Sequence, residues 1–327
     1  MFCIIQGGIL RQLRYLILTV LLSCVFSCEA PLNLSSVNEE AAKPTHRSDR
    51  FQSLATNNEA IVLVGSFGVI LTSLDGGVSW TRQQLESQPT LVDIANCPDN
   101  SFVALALEGV VWISSDNGQS WTSKSLTSSE TPQAIDCTTN NKIWVVGSFS
   151  TFASSSDRGS SWQDLSLEED MILSYVKFFD AQNGIATAEF GRVLKTTDGG
   201  LNWEMQDSIP NEFYPIASLF VDMNKGWVAG LSGKILFTDD GGSHWIDQPT
   251  SFPVPIYGLS KGESQIYAVG ALGAIFVKDL SDTQGSQWHL VDANEKTSSY
   301  IRTALITEKR QIFAGGSGAL LSIAKPE

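Results

Sequence analysis

Asp75, Asp116, Asp157, Asp198 and Asp240 are the residues whose spacing first invites chemistry. Each sits in an octet, Ser73-Leu-Asp-Gly-Gly-Val-Ser-Trp80 being the first, and the later ones end at Trp121, Trp162, Trp203 and Trp245. A looser sixth copy runs from Asp282 to Trp288. Five carboxylates in register could hold a cation or do general acid–base work. Yet a group that every repeat supplies does a job that every repeat has, and the octet suits a structural one. The carboxylate can accept turn N–H groups, and the Gly two places on reaches positive φ at no steric cost. The Trp opens the next strand, where burying its indole removes roughly 150–250 Å² from water, on the order of 4–6 kcal/mol before entropy.

Other reactive groups are sparse. His46, His244 and His289 are dispersed, and the cysteines are Cys3, Cys24, Cys28, Cys97 and Cys137, with no CxxC or Cys/His metal spacing. No metal site, triad or cofactor is expected. Cys97 and Cys137 precede the aspartates of neighbouring octets by 19 and 20 residues. An exported protein could bridge them, but only if adjacent repeats hold their Cα atoms within about 7 Å, and unbridged thiols are the expectation.

The elements that would position these residues follow from the period. Trp80, Trp121, Trp162 and Trp203 are 41 residues apart, and the next two steps are 42 and 43. Within one period, Ser174–Asp180 reads as an innermost strand, Ile185–Glu189 as a second and Val193–Thr196 as a third, with the octet as hairpin and Trp203 opening the fourth. Four short strands in about forty residues make one propeller blade. The second-to-third-strand signature occurs as VGSFGVI, LALEGVV, VGSFSTF, TAEFGRV, AGLSGKI, VGALGAI and AGGSGAL, which gives seven blades. The expected fold is all-β: a seven-bladed β-propeller over residues 50–327. The chain runs out after the third strand of blade 7, so the segment before Arg50, around Leu32 to Val37, is expected to supply the fourth.

Formal net charge is −14 over 327 residues. An acidic chain of this kind disfavours nucleic acid as a partner and is not drawn to anionic lipid by a basic patch. Arg11 and Arg14 precede an apolar run from Leu16 to Phe26 that is short for a membrane span and suits an export signal over residues 1–27. Ser27-Cys28, or alternatively Leu22-Ser23-Cys24, resembles a bacterial lipobox, which makes Cys28 (or Cys24) a lipidation site. Residues 28–49 read as linker. Attachment to a bacterial membrane, the outer membrane foremost, facing the periplasm or exterior, is the expected location.

Val176 to Trp203 (VKFFDAQNGIATAEFGRVLKTTDGGLNW) and Ile216 to Trp245 (IASLFVDMNKGWVAGLSGKILFTDDGGSHW) resemble the photosystem II stability/assembly factor-like propellers, which carry Asp boxes first noted as bacterial neuraminidase repeats. The resemblance covers roughly residues 50–325. It implies an exported seven-bladed propeller that works without catalysis, as an assembly chaperone or scaffold for membrane or envelope proteins. Members from phototrophs have an arginine-rich surface, whereas the seven arginines after residue 27 do not cluster here. Because sialidases share the boxes, the alternative is a carbohydrate-binding protein or glycosidase. A sialidase site needs three converging arginines, and only Arg192 and Arg302 can reach the required face. A simpler glycosidase needs two carboxylates, for which Asp93, Glu108 and Glu189 are the candidates, each more readily a surface charge.

A partner surface is expected on the face opposite the boxes. The aligned second-to-third-strand turns carry Phe67, Glu108, Phe149, Phe190, Ser232, Leu272 and Ser317. Phe67, Phe149 and Phe190 could form an exposed apolar patch, or each ring could fold back onto its own blade. The inner strands bring Tyr175, Lys177, Tyr257, Tyr300 and Arg302 towards the channel mouth, where they would contact a partner or a glycan, or fill the bore.

Overall fold

The computed structural model describes residues 34–282, 287–291 and 297–325. The chain divides into two units, Met1–Lys43 and Pro44–Glu327. The described part of the first holds one helix, α1 (Ser35–Ala41). The second is a seven-bladed β-propeller of antiparallel sheets, six with four strands and the last with three. In blade 1 the order is β1 (Phe51–Thr56), β2 (Ile61–Gly65), β3 (Val69–Ser73) and β4 (Thr81–Gln84), from the innermost strand outward.

The second strands explain why the hydrophobic pattern shows no alternation. All five residues of β2 are buried, because both faces of each sheet meet another sheet. Val62 and Val64 join the core shared with blade 2, whereas Leu63 between them joins the core shared with blade 7. Period-two geometry thus sends alternate side chains of one apolar strand into two different cores. Seven such clusters separate the seven pairs of neighbouring blades, and the ring closes through the packing of Phe51, Leu63 and Leu71 with Ala314.

The last blade departs from the expectation. Its sheet has three strands, and Ser35–Ala41 is helical rather than the outer strand anticipated from Leu32 to Val37; residues 32 and 33, like Cys24 and Cys28, lie outside the described residues. The sequence of α1, SSVNEEA, has one large apolar residue and so lacks the alternation a covering strand needs. The third strand of blade 7, Leu320–Ala324, is consequently half-exposed, where its counterpart β3 is wholly buried.

Candidate functional site

The octets are hairpins between third and fourth strands, and their aspartates are consumed within them. In blade 1, Asp75 accepts the hydroxyls of Ser73 (2.8 Å) and Ser79 (2.6 Å) and the amides of Val78 and Ser79. The Ser73 hydroxyl in turn accepts the amide of Gly77 at 2.8 Å. The same pattern recurs around Asp116, Asp157, Asp198 and Asp240, with Asn202 and His244 replacing the second serine in the last two. These bonds favour the ionised carboxylate. The Ser79 hydroxyl and amide hold Asp75 down at about 2, as those of Ser161 do Asp157.

Each hairpin plugs the blade before it. Trp121, Trp162, Trp203, Trp245 and Trp288 all join the core shared with the preceding blade, and Trp80 joins the one that closes the ring against blade 7. The second glycine makes the approach: a Cβ on Gly118 would lie 2.7 Å from Val62, and one on Gly77 2.6 Å from Ile312. The Asp and Trp positions are therefore fasteners. No group of three or more His, Cys, Asp or Glu side chains able to hold a metal occurs among the described residues.

Several residues singled out as partner or catalytic candidates turn out to stitch neighbouring strands. Asp93 receives the Ser53 hydroxyl from blade 1 (2.8 Å) and the Ile135 amide from blade 3 (3.0 Å). Asp136 receives the Phe178 amide and the Lys177 ammonium of blade 4, both at 2.7 Å. The Tyr175 hydroxyl accepts the Phe220 amide of blade 5 at 3.2 Å. An innermost strand has no sheet partner on its channel side, so its amides need such acceptors. Burial raises Asp93, and raises Asp136 against the pull of Lys177. Glu108 and Glu189 accept the amides of Thr90 and Ile172, and Arg192 bonds the Ser208 hydroxyl. Neither the carboxylate pair of a glycosidase nor a cluster of arginines is assembled from these groups.

Two features of the opposite face remain. The first is a crown at the second-to-third-strand turns. Phe67, Phe149, Phe190 and Leu272 are each more than half exposed, so the rings do not fold back onto their blades. All four adopt left-handed backbone, with φ of 60°, 50°, 57° and 57°. Blades 2 and 5 expose Leu107 and Leu231 at the same turn. Alignment on Glu108 and Ser232 missed these two because the apolar residue stands one place earlier.

The second feature is a hollow of about 240 Å³ lined by Gln52, Tyr257, Tyr300 and Arg302. Gln52, Tyr257 and Arg302 are the bulge residues of the inner strands of blades 1, 6 and 7: register slips between Phe51 and Ser53, Ile256 and Gly258, and Ile301 and Thr303. Phe51 pairs with Gly65, Ile256 with Gly270 and Ile301 with Gly315, which places the hollow at the crown end of the bore. Of the residues expected at the channel mouth, Tyr257, Tyr300 and Arg302 therefore meet, whereas Tyr175 and Lys177 do not line the hollow. Gln52 was missed, since a bulge leaves no mark in composition.

Cys97 and Cys137 form a disulfide between blades 2 and 3, contrary to the expectation of unbridged thiols. They lie at the ends of neighbouring inner strands, where the ring is narrowest, and their Cα atoms are 5.1 Å apart.

Blades, hairpin plugs and crown together define a seven-bladed propeller of the Asp-box type. Residues 160–289 match the model of the family described as photosynthesis system II assembly factor YCF48. Among solved structures, YCF48 bound to a D1 peptide is 17% identical with a TM-score of 0.72, over 87% of this chain and 94% of that one. YCF48 from Cyanidioschyzon merolae is 16% identical with a TM-score of 0.69, over 86% and 96%. A virginiamycin B lyase from Staphylococcus aureus is 11% identical with a TM-score of 0.72, over 85% and 95%. At these identities the likeness is one of fold, which enzymes and non-enzymes share. No curated protein matches the chain by sequence.

Proposed function

We propose that this protein is a non-enzymatic binding or assembly scaffold for membrane or envelope proteins, tethered to a bacterial membrane through an acylated Cys28 (or Cys24) and working through its crown. The crown is the single observation that carries the reading. Six of seven blades place a large apolar side chain at the tip of the same turn, four of them in a backbone conformation that bulky residues rarely adopt. Such strain costs on the order of 1 kcal/mol per residue and serves no packing end here, so a use on the outer face accounts for it. The family match supports an assembly role, and the neighbour solved with a D1 peptide supports a propeller of this shape taking a protein segment.

Capture from native membranes tests the reading. Wild-type protein should retain a membrane or envelope protein that Phe149→Asp and Phe190→Asp lose, with melting temperatures unchanged within a few degrees. Retention of the same partner by both variants, or turnover of a glycoside by purified protein, would overturn it. The anchor is tested separately: labelled fatty acid should enter the wild type and not Cys28→Ser, and entry lost only in Cys24→Ser would move the anchor to that residue.

A further inference from the structure

The hollow at the bore mouth contains an arginine with nothing to hold. The Arg302 guanidinium is half-buried, yet it makes no hydrogen bond and no ion pair among the described residues. Nor do the side chains of Gln52, Tyr257 and Tyr300 make one, although all four line the same space. An enclosed guanidinium without an acceptor is costly, because burial weakens its hydration and offers nothing in return. The usual remedy, a neighbouring carboxylate, is near but engaged elsewhere. Asp93 acts on Arg302 electrostatically, while its own oxygens serve Ser53 and the Ile135 and Ile94 amides. Gln52, Tyr257 and Arg302 stand at the bulge positions of three neighbouring inner strands, those of blades 1, 6 and 7, and all line this one space. The rings of Tyr257 and Tyr300 stand edge to face, 5.9 Å apart at 78°, and wall the space on the side of blades 6 and 7.

We propose that this hollow binds a carboxylate: Arg302 takes the two oxygens in a fork, Gln52 and the tyrosine hydroxyls complete the hydrogen bonds, and the tyrosine rings flank the stem that bears the group. The charge balance selects the ligand class. One guanidinium is the sole cationic group of the lining, the field of Asp93 already offsets part of it, and the chain carries −14 overall. That balance suits a monoanion and disfavours a phosphate dianion, which calls for further cations. The carboxylate can belong to a free small acid or to an acidic side chain of the protein that the crown holds, and only this last alternative rests on the function proposed above.

Phenylacetate is a suitable probe for the full-length protein, with saturation-transfer NMR and calorimetry as readouts at pH 7. Binding should be saturable, at least tenfold weaker for phenylacetamide and for phenyl phosphate, and at least tenfold weaker in Arg302→Gln. Gln52→Leu and Tyr300→Phe, each losing about threefold or more, give the same answer should the arginine variant not fold. No saturable binding to the wild type, or equal affinity for phenylacetamide, or an affinity that folded Arg302→Gln keeps, would each overturn the proposal. Phe190→Asp should bind phenylacetate as the wild type does while losing its membrane partner, which separates a failure of the crown from a failure of the hollow. If Arg302→Gln also loses that partner, the carboxylate is the partner's; if it keeps the partner but not phenylacetate, the ligand is a free acid. Both results leave a carboxylate site standing.

Discussion

At the scale of single residues, the box aspartates are consumed inside their own hairpins, whereas the crown phenylalanines are held outward on strained backbone. Asp157 gathers the Ser155 and Ser161 hydroxyls and the Ser161 amide around a carboxylate held at about 2. Its folded value lies below the ordinary 3.9 or so, so its contribution is complete above about pH 5 and disappears as pH falls towards 2. Asp157→Asn should therefore melt below the wild type at pH 7, with the gap closing between about pH 4 and pH 2 in circular-dichroism melts. A gap that stays constant would remove the charge from this role. Asp93 and Asp136, raised by burial, have the reverse sign and gain as pH falls, which is why the difference between the two proteins is the informative quantity. Phe190 illustrates the other case. At φ 57° it occupies a position that Asn adopts more readily. Phe190→Asn should raise stability by about 1 kcal/mol in urea unfolding while abolishing partner capture. A destabilised variant would mean that the ring packs after all.

At the scale of elements, blades are joined twice, by hairpin plugs towards the outside and by side-chain caps along the bore. Each plug carries an indole into the preceding core, whereas each cap supplies an acceptor to a strand edge that has no sheet partner. The bridge between Cys97 and Cys137 adds a covalent join to the inner strands of blades 2 and 3. It spans 40 residues of sequence, a separation for which loop closure is worth about 2–4 kcal/mol. The double variant Cys97→Ser/Cys137→Ser should lose that amount in denaturant titration, and reductant should bring the wild type down to the same midpoint. Reductant without effect would show that the bridge does not form. The spacing of the two cysteines in sequence did not reveal their pairing, because the distance between blades is set by side-chain volume rather than by the repeat length.

At the scale of the whole molecule, the ring closes among the described residues with three strands in its last blade. Among the described residues the third strand of blade 7, Leu320–Ala324, has no fourth strand beside it. Closure rests instead on the core around Phe51 and Ala314, on the Ser322 hydroxyl donating to the Gly77 carbonyl (2.6 Å), and on Asp49. Asp49 is buried, its carboxylate accepts both terminal guanidinium nitrogens of Arg82 at 2.7 and 2.9 Å, and its carbonyl accepts the Gly318 amide of blade 7. Asp49→Ala leaves Arg82 partly buried without a counter-charge. A loss of about 2–3 kcal/mol is expected, discounted from the fully buried case because Arg82 retains some exposure. Urea unfolding checks this, and a change below about 0.5 kcal/mol would show that the seam is held by the apolar core alone.

The octets, their 41-residue period and the seven turn signatures made blade number, strand order and the structural fate of the tryptophans legible from sequence. Each of those features is written locally, in turn chemistry and in the period of apolar residues. Residues that act across blades were not legible in the same way. Asp93 and Tyr175 read as bore or surface groups until the strand edges they cap came into view, and Leu107 and Leu231 joined the crown only once the turns were seen in space. The hollow around Arg302 gathers bulge residues from three inner strands, and such bulges shift register without altering composition. What a repeat encodes is its own hairpin; which groups from neighbouring repeats face one another is decided by the packing of sheet on sheet, and that information resides in the ring as a whole.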